Sequence, residues 1–454
     1  MRITPLRRYA VATAALLATS GGIAVGALPA HAAAPRSTGG WARTGSFYTY
    51  TGARTLASFQ PGTVLKSRTI TYHVQGIATP VQVTQLLYRT RTQLGQAVAN
   101  VTSVIHSPVP DVTHKVVTYN SFYDSLNVED SPSRSIAGST SPGAQTFAEE
   151  QLAFTSLLSA GYDVNVPDFE GQVPHYTVGP ENGYMTLDSM RAVGKSTAVG
   201  LGANTDFAMM GYSGGSIATE WAAQLAPSYA PDINRHLVGA TEGGVYVDPA
   251  HNLKYVNGST KWSGVALLAI NGLERGFNMD LTPYLSTYGK AVLGATKNAG
   301  IGDAEGKYPG LTFQQLVKPQ YANPNSIPGL PKVLNTVNAG LAPSPTIPFQ
   351  ILQGAYGVGE GTQPSAKYGT GDGVMVTGDV RSIARKYCAA GNAVQYTEFG
   401  TLGHTDVGIT WLTSAAAWVQ ARFAGVPAPS TCATIPAGNS LAAEQPVPVG
   451  TPAG

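Results

Sequence analysis

The chain has 454 residues, of which 12% are charged, and its formal net charge is +2. Three of its arginines, Arg2, Arg7 and Arg8, lie at the N-terminus, so the rest of the chain is nearly neutral. Because the chain has no run of like charge, its sequence does not predict a basic surface that would bind nucleic acid or an anionic membrane. Its length allows two domains, or one large domain with an insertion.

The N-terminus has the pattern of a secretory signal peptide. The arginines are followed by an apolar stretch from Tyr9 to Leu28 and by Ala30-His31-Ala32, which has small residues where a cleavage site requires them. We therefore assign residues 1–32 to a signal peptide and expect the secreted, extracellular chain to begin near Ala33. The rest of the chain has no stretch that is apolar enough to span a bilayer.

The sequence contains two cysteines, Cys388 and Cys432. Export places them in an oxidising compartment, which favours one disulfide between them. Two buried free thiols are the alternative. Cysteines and histidines do not cluster at the spacing of metal ligands, so we expect neither a metal nor another cofactor.

Residues 33–245 are predicted to form the first part of an α/β core. Its early segments alternate like strands with short connections, whereas strands and helices alternate after Gly161. This second pattern is typical of a mostly parallel sheet covered by helices on both faces. The predicted strands are Thr69–Val74, Gln85–Thr90, Val98–Ile105, Lys115–Tyr119, Gly161–Asp168, Phe207–Met210 and His236–Ala240, and the predicted helices are Ala144–Ser159 and Thr186–Lys195.

A segment of different character, residues 246–345, follows this part of the core. Periodicity cannot decide whether Val265–Ile270 is a strand or part of a buried helix, but Leu281 to Val292 has the spacing of an amphipathic helix. We interpret the segment as a mostly helical cap inserted into the core; a second domain without a role at the site is the alternative. We expect the core to resume over 346–434, with strands Ile347–Leu352 and Ala393–Phe399 and a helix over Asp406–Phe423, and residues 435–454 to be a disordered tail.

The clearest chemical signal is Gly211-Tyr212-Ser213-Gly214-Gly215. It follows the apolar strand Phe207–Met210 and precedes a predicted helix at Ser216–Ala222. A nucleophile elbow needs a serine on such a tight turn from strand to helix, and glycines on both sides let neighbouring backbones pass closely. The motif predicts Ser213 as a nucleophile. A glycine-rich turn without catalytic function is the alternative.

A serine hydroxyl needs a base to remove its proton, and the base needs an acid to orient it. His404 is the candidate base because it follows the last predicted strand, where this chain order delivers a histidine. A histidine that only makes local hydrogen bonds is the alternative. The other histidines lie in the signal peptide, within a strand or too early in the chain: His31, His73, His106, His114, His175, His236 and His251.

The acid should lie between the strand that ends at Leu352 and the helix that leads to Cys388. Three carboxylates qualify: Glu360, Asp372 and Asp379. An acid at residue 379 is explained by the N-terminus of the predicted helix Val380–Tyr387, and Glu360 lies in a glycine-rich excursion. We favour Asp372, which occupies a turn before His404, and leave the other two open.

These features together resemble the secretory lipase family of fungi and actinobacteria, which are α/β-hydrolases of the Candida lipase A type. The resemblance covers most of the mature chain. It rests on Leu87-Tyr88-Arg89-Thr90, Gly161-Tyr162, Pro167-Asp168-Phe169-Glu170-Gly171, Gly211-Tyr212-Ser213-Gly214-Gly215, Gly403-His404 and Ala421-Arg422-Phe423-Ala424-Gly425-Val426-Pro427.

The resemblance implies a triad of Ser213, Asp372 and His404 and a helical cap over an acyl-binding tunnel. It also implies an oxyanion hole formed by Asp124 and the backbone N–H of Gly214. A carboxyl can donate a hydrogen bond there only when it is protonated, so the pKa of Asp124 would have to be raised. An aspartate that only caps a turn is the alternative. The glycine-rich segment Ala355–Thr370 departs from the family pattern and leaves the local shape around Asp372 open.

We therefore expect a secreted carboxylic ester hydrolase with a lipid or another ester as its substrate, and triacylglycerol hydrolysis is the leading hypothesis. A carboxylesterase, a polyester hydrolase or a peptidase on the same fold would share the triad. A catalytically inactive lipid-binding protein is the alternative from another functional class. We expect no nucleic-acid partner.

Overall fold

The computed structural model describes residues 47–109 and 114–453. The predicted signal peptide, residues 1–32, lies outside these ranges. In the described part of the chain, no helix is both long and apolar enough to cross a membrane.

One mixed sheet organises the described chain. Its strands lie in the order β1-β2-β3-β5-β4-β6-β7-β8-β9. The first three are antiparallel neighbours, β3 also pairs antiparallel with β5, and the pairs from β5 through β9 are parallel. The strands are β1 Val64–Val74, β2 Ile77–Arg91, β3 Ala97–Ile105, β4 Lys115–Asn120, β5 Asp163–Pro167, β6 Asp206–Tyr212, β7 Leu237–Gly243, β8 Phe349–Gly354 and β9 Val394–Phe399.

The helices divide into a group before residues 246–345, the segment predicted to be a cap and called the cap below, a group within it and a group after it. Before the cap are α1 Pro132–Ile136, α2 Pro142–Glu150, α3 Phe154–Ser159, α4 Gly179–Lys195, α5 Gly214–Tyr229 and α6 Pro231–Asn234. In the cap are α7 Pro249–Tyr255, α8 Val265–Gly276, α9 Thr287–Ala295, α10 Ile301–Ala304, α11 Phe313–Leu316 and α12 Leu330–Thr336. After it come α13 Thr377–Ala389 and α14 His404–Phe423.

Helices cover both faces of the sheet, and each face has its own apolar core. Successive side chains of a strand point to opposite faces, and the neighbours Met209 and Met210 of β6 accordingly belong to different clusters. The cluster around Met209 includes Trp221 of α5, whereas the cluster around Met210 includes Trp411 of α14. The predicted α/β-hydrolase fold, with a mostly parallel sheet between two helical layers, is confirmed.

The predicted cap segment is mostly helical, and most of the residues of one apolar cluster belong to it. Val265–Ile270, which the sequence left undecided, belongs to helix α8. The helix predicted from Leu281 begins only at Thr287, so this prediction is wrong at its N-terminal end. Ser286 caps the helix by accepting a hydrogen bond from Gly289 N at 2.9 Å, and Leu285 instead forms a β-bridge with Val317.

The end of the chain also differs from its prediction. Residues 435–453 were expected to be disordered, but they form an extended segment with specific partners. Asn439 donates to the Asp379 carboxyl of α13 at 2.8 Å, and Glu444 pairs with Lys254 of the cap at 3.3 Å. The segment is held because its polar side chains find partners on both core and cap. The predicted disulfide between Cys388 and Cys432 is present.

Candidate active site

Ser213 occupies the turn between β6 and α5 with φ 52° and ψ −120°. This backbone conformation is unfavourable for a residue with a side chain, and it is the strained geometry of a nucleophile elbow. The flanking glycines are required by space: a Cβ on Gly211 would overlap the carbonyl of Gly215, and a Cβ on Gly215 would overlap that of Asn120. The turn therefore presents the Ser213 hydroxyl at the carboxyl end of the sheet.

The structure brings Ser213, His404 and Asp372 together. Ser213 Oγ lies 2.8 Å from His404 Nε2, and His404 Nδ1 lies 2.8 Å from Asp372 Oδ2. His404 is the first residue of α14, which begins two residues before the predicted start at Asp406, and its backbone N–H donates to the Asp372 carbonyl at 2.8 Å. An imidazole that is bonded to a carboxylate on one side can accept a proton on the other.

Asp372 is held in place by the turn that contains it. Its Oδ1 accepts the backbone N–H groups of Val374 at 2.9 Å and Met375 at 2.7 Å. The excursion Ala355–Thr370 does not displace this turn, because Gly357 N–H donates to the Gly371 carbonyl at 2.7 Å and returns the chain to the end of β8. Asp372 is therefore fully buried and directed at His404.

Burial disfavours the imidazolium form of His404, but the charge and the hydrogen bond of Asp372 outweigh it and raise the pKa of His404 above its ordinary value. The neutral base thus becomes protonated at a higher pH than in a free histidine.

The two other candidate acids have different partners. Asp379 lies 3.0 Å from His251 Nδ1, so it belongs to the contact between α13 and the cap. Glu360 forms an ion pair with Lys261 and accepts the backbone N–H of Thr405 at 2.9 Å. Neither of these carboxylates is the hydrogen-bond partner of His404.

Asp124 is buried against the start of α5. Its carboxyl is in direct contact with Gly214, whose N–H is the first of the helix and has no intrahelical acceptor. Tyr176 Oη donates to Asp124 Oδ2 at 3.3 Å. Burial, opposed in part by this hydrogen bond, raises the pKa of Asp124 to about 7. The second carboxyl oxygen, Asp124 Oδ1, is buried and has no hydrogen-bond partner among the described residues.

The comparisons with known proteins agree with this geometry. The secretory lipase family model matches residues 138–357. The secreted triacylglycerol lipase LIP7 of Malassezia globosa is 30% identical over 83% of this chain and 78% of its own length. The chain belongs to the secretory lipase family. As a secretory lipase it is a hydrolase of carboxylic esters.

Two further comparisons bear on this lipase. The crystal structure of Candida antarctica lipase A has a TM-score of 0.75 and 25% identity and covers 87% of this chain and 89% of its own. The probable inactive lipase MT1628 of Mycobacterium tuberculosis is 29% identical over 81% of this chain and 79% of its own length. The family resemblance predicted from the sequence is confirmed.

An apolar cavity lies among the cap helices of this lipase, and two residues of its lining contact the site. These residues are Tyr176, which contacts Asp124, and Trp262, whose ring lies edge-on to His404 with a centroid separation of 5.3 Å. The rest of the cavity is lined mostly by aliphatic side chains of the cap helices, including Val265 and Leu330. Sequence reasoning missed Tyr176 and Trp262, because no motif marks them and each reaches the site only through the fold.

Proposed function

We propose that this lipase is a secreted triacylglycerol lipase that acts through an acyl-enzyme on Ser213. The observation that carries the proposal is the unbroken hydrogen-bond relay from Ser213 Oγ through His404 to Asp372, with 2.8 Å at each step. A serine in this relay can lose its proton as its oxygen attacks a carbonyl.

The reaction has two halves. His404 Nε2 takes the proton of Ser213 Oγ as this oxygen bonds to the ester carbonyl carbon, and His404 then returns the proton to the leaving alcohol oxygen as the ester C–O bond breaks. A water molecule, deprotonated by the same nitrogen, attacks the acyl-enzyme and releases the fatty acid while Ser213 recovers its proton. Asp372 keeps the imidazole in the required tautomer and orientation.

In this proposal Asp124 and the Gly214 N–H form the oxyanion hole. Both would donate to the oxygen of the tetrahedral intermediate, where donors are worth most because the negative charge develops there. The direct contact between the two residues and the raised pKa of Asp124 support this role.

Two findings support a lipid-like acyl chain. The cavity whose lining includes Tyr176 and Trp262 is lined mostly by aliphatic and aromatic residues, which suits a long hydrocarbon chain because its burial releases water from apolar surface. The Malassezia relative is named a secreted triacylglycerol lipase. For export, we propose that residues 1–32 are removed as a signal peptide.

The test compares the purified mature protein with its Ser213→Ala variant on p-nitrophenyl esters of increasing chain length and on a triacylglycerol emulsion. Ser228→Ala is the matched control, because Ser228 is an exposed serine on the same helix, α5. We expect a preference for long chains in the wild type, normal activity of the control, and a loss of roughly 10⁴-fold or more in Ser213→Ala.

The possible outcomes separate the alternatives. Undiminished turnover by Ser213→Ala would refute the nucleophile. Activity on short esters without release of fatty acid from the emulsion would indicate a carboxylesterase. No turnover by the wild type would favour a catalytically inactive lipid-binding protein; the Mycobacterium relative is named a probable inactive lipase.

A further inference from the structure

The loop that carries Asp124 is held by contacts from outside its own strand. Asp124 has φ 36°, a conformation that persists in a residue with a side chain only when its surroundings impose it. Ser125 N–H donates to Glu170 at 3.2 Å, and Leu126 N–H donates to the Ala299 carbonyl of the cap at 2.9 Å. The cap thus takes part in fixing this loop.

Arg275, at the end of cap helix α8, joins three segments through one guanidinium. Its Nη1 donates to the Leu126 carbonyl at 3.3 Å and to the Pro174 carbonyl at 2.8 Å. Its Nη2 donates to the Lys297 carbonyl at 2.6 Å. A guanidinium can hold these acceptors in one fixed arrangement because its donors are rigid and planar. The first acceptor lies two residues from Asp124.

Helix α8 also packs against the segment of Tyr176, whose hydroxyl contacts the Asp124 carboxyl. Gly272 lies three positions before Arg275, so the two residues are neighbours on the surface of the helix. A Cβ on Gly272 would overlap the Tyr176 carbonyl, so the helix can lie against this segment only without a side chain there. Tyr176 is the residue whose hydroxyl donates to Asp124.

We propose that Arg275 is a positioning residue for the oxyanion hole. Through Leu126 and Pro174 it fixes the two segments that hold the Asp124 carboxyl against Gly214, so the oxyanion hole is complete only while α8 is docked. The inference rests on the proposed function. In this proposal the cap has two roles: it lines the acyl cavity, and it positions a part of the oxyanion hole.

The test measures kcat and KM on a soluble ester, p-nitrophenyl butyrate, for the purified mature protein and its Arg275→Gln variant. Loss of an oxyanion donor costs about 10²–10³ in kcat, so a misplaced one should cost roughly 10- to 100-fold. KM should change by less than about threefold, because the acyl cavity is not altered. Arg275→Lys should retain more activity than Arg275→Gln, since an ammonium can still reach some of the carbonyls.

Two matched controls separate positioning from general destabilisation. Arg191→Gln removes another partly buried guanidinium, which bonds to Asp232 and the Tyr229 carbonyl away from the site, and should leave kcat unchanged in folded protein. Gly272→Ala should lower kcat as Arg275→Gln does. Gly294→Ala, in cap helix α9 with no atom within 4 Å of the added methyl group, should not.

A double-mutant cycle with Asp124→Ala tests the route. If Arg275 acts through Asp124, adding Arg275→Gln to Asp124→Ala should cost less than about threefold further. Circular dichroism and the thermal midpoint show whether each variant is folded. If Arg275→Gln does not fold, the kcat of Gly272→Ala is used to test the proposal instead.

An unchanged kcat in Arg275→Gln would overturn the proposal, and so would an equal loss in the wild-type and Asp124→Ala backgrounds. Full activity of Ser213→Ala would instead refute the proposed function, whatever the Arg275 variants do.

Discussion

Gly214 and Asp124 are in such close contact that a Cβ on residue 214 would overlap Oδ1 of the Asp124 carboxyl. The two proposed donors of the oxyanion hole therefore belong to one packed unit, although they lie on different elements. Residue 214 can only be glycine while the carboxyl keeps this position.

Gly214→Ala should for this reason displace Asp124 and remove one donor from the oxyanion hole. We expect kcat to fall by roughly 10²-fold or more in a protein that still folds, because alanine is otherwise favourable at the start of a helix. The control is Gly302→Ala in the short cap helix α10, where the added methyl group meets no atom within 4 Å. Equal activity of the two variants would show that Asp124 does not need its observed position.

Asp124→Asn should change the pH profile rather than abolish activity. Burial raises the pKa of Asp124 to about 7, so the carboxyl loses its donor proton as pH rises through that value in the free enzyme. Asparagine is isosteric, donates at every pH and tolerates positive φ. We expect kcat/KM of the wild type to decline above about pH 7, whereas the Asn variant should keep its activity.

The acidic limb of both profiles should remain. It reports His404, whose raised pKa makes the base protonated and inactive on the acidic side. A wild-type profile without an alkaline decline, superimposable on that of Asp124→Asn, would mean that Asp124 does not titrate in the catalytic range. The measurement is kcat/KM on a soluble ester between about pH 5 and pH 10, in buffers of constant ionic strength.

The proposed nucleophile and base could be located in the sequence because local pattern defines both positions. Ser213 follows an apolar strand within a glycine motif, and His404 follows the last strand, so both lie at the same edge of a parallel sheet. The acid remained open because three carboxylates lie close together in sequence. Asp372 reaches His404 through tertiary contacts, among them the hydrogen bond of Gly357 to Gly371 that closes the excursion.

Other features depend on tertiary contacts that no local pattern records. Arg275 meets Leu126, a residue far away in sequence, and neither lies in a recognisable motif. The helix predicted from Leu281 starts late because a β-bridge between Leu285 and Val317 takes up the first residues of the periodic stretch. The disorder expected for 435–454 is wrong for 435–453, because this segment has tertiary partners such as Asp379 and Lys254.

Asp372→Asn should separate the geometry of the relay from its electrostatics. An amide can hold the imidazole but favours the wrong tautomer, and an equivalent change in a serine protease lowers kcat by about 10⁴. We expect a loss of similar size here. Asp379→Asn is the control, because Asp379 pairs with His251 and should affect stability but not kcat. If Asp379→Asn alone inactivated the protein, the assignment of the acid would be wrong.

A pair of buried glutamates behind the site should make stability depend on pH. Glu220 of α5 and Glu242 of β7 are both fully buried and interact directly. Tyr387 and Gln224 donate hydrogen bonds to Glu220, whereas the Glu242 oxygens have no other partner in the described structure. Burial, and then the charge of Glu220, raise the pKa of Glu242 well above its ordinary value. We therefore place the proton of the pair on Glu242.

A carboxyl with a raised pKa binds more protons in the folded state than in the unfolded state, so the free energy of unfolding falls as pH rises above the ordinary pKa of glutamate. The slope is ~1.4 kcal/mol per pH unit for each extra proton. Glu242→Gln mimics the protonated form, so its thermal midpoint should fall less than that of the wild type between about pH 5 and pH 9. Glu398→Gln is the control, because the pKa of Glu398 is shifted in the opposite direction. Its ion pair with Arg381 outweighs partial burial and lowers this pKa. Parallel melting curves for the wild type and Glu242→Gln across this range would mean that the pair holds no shared proton.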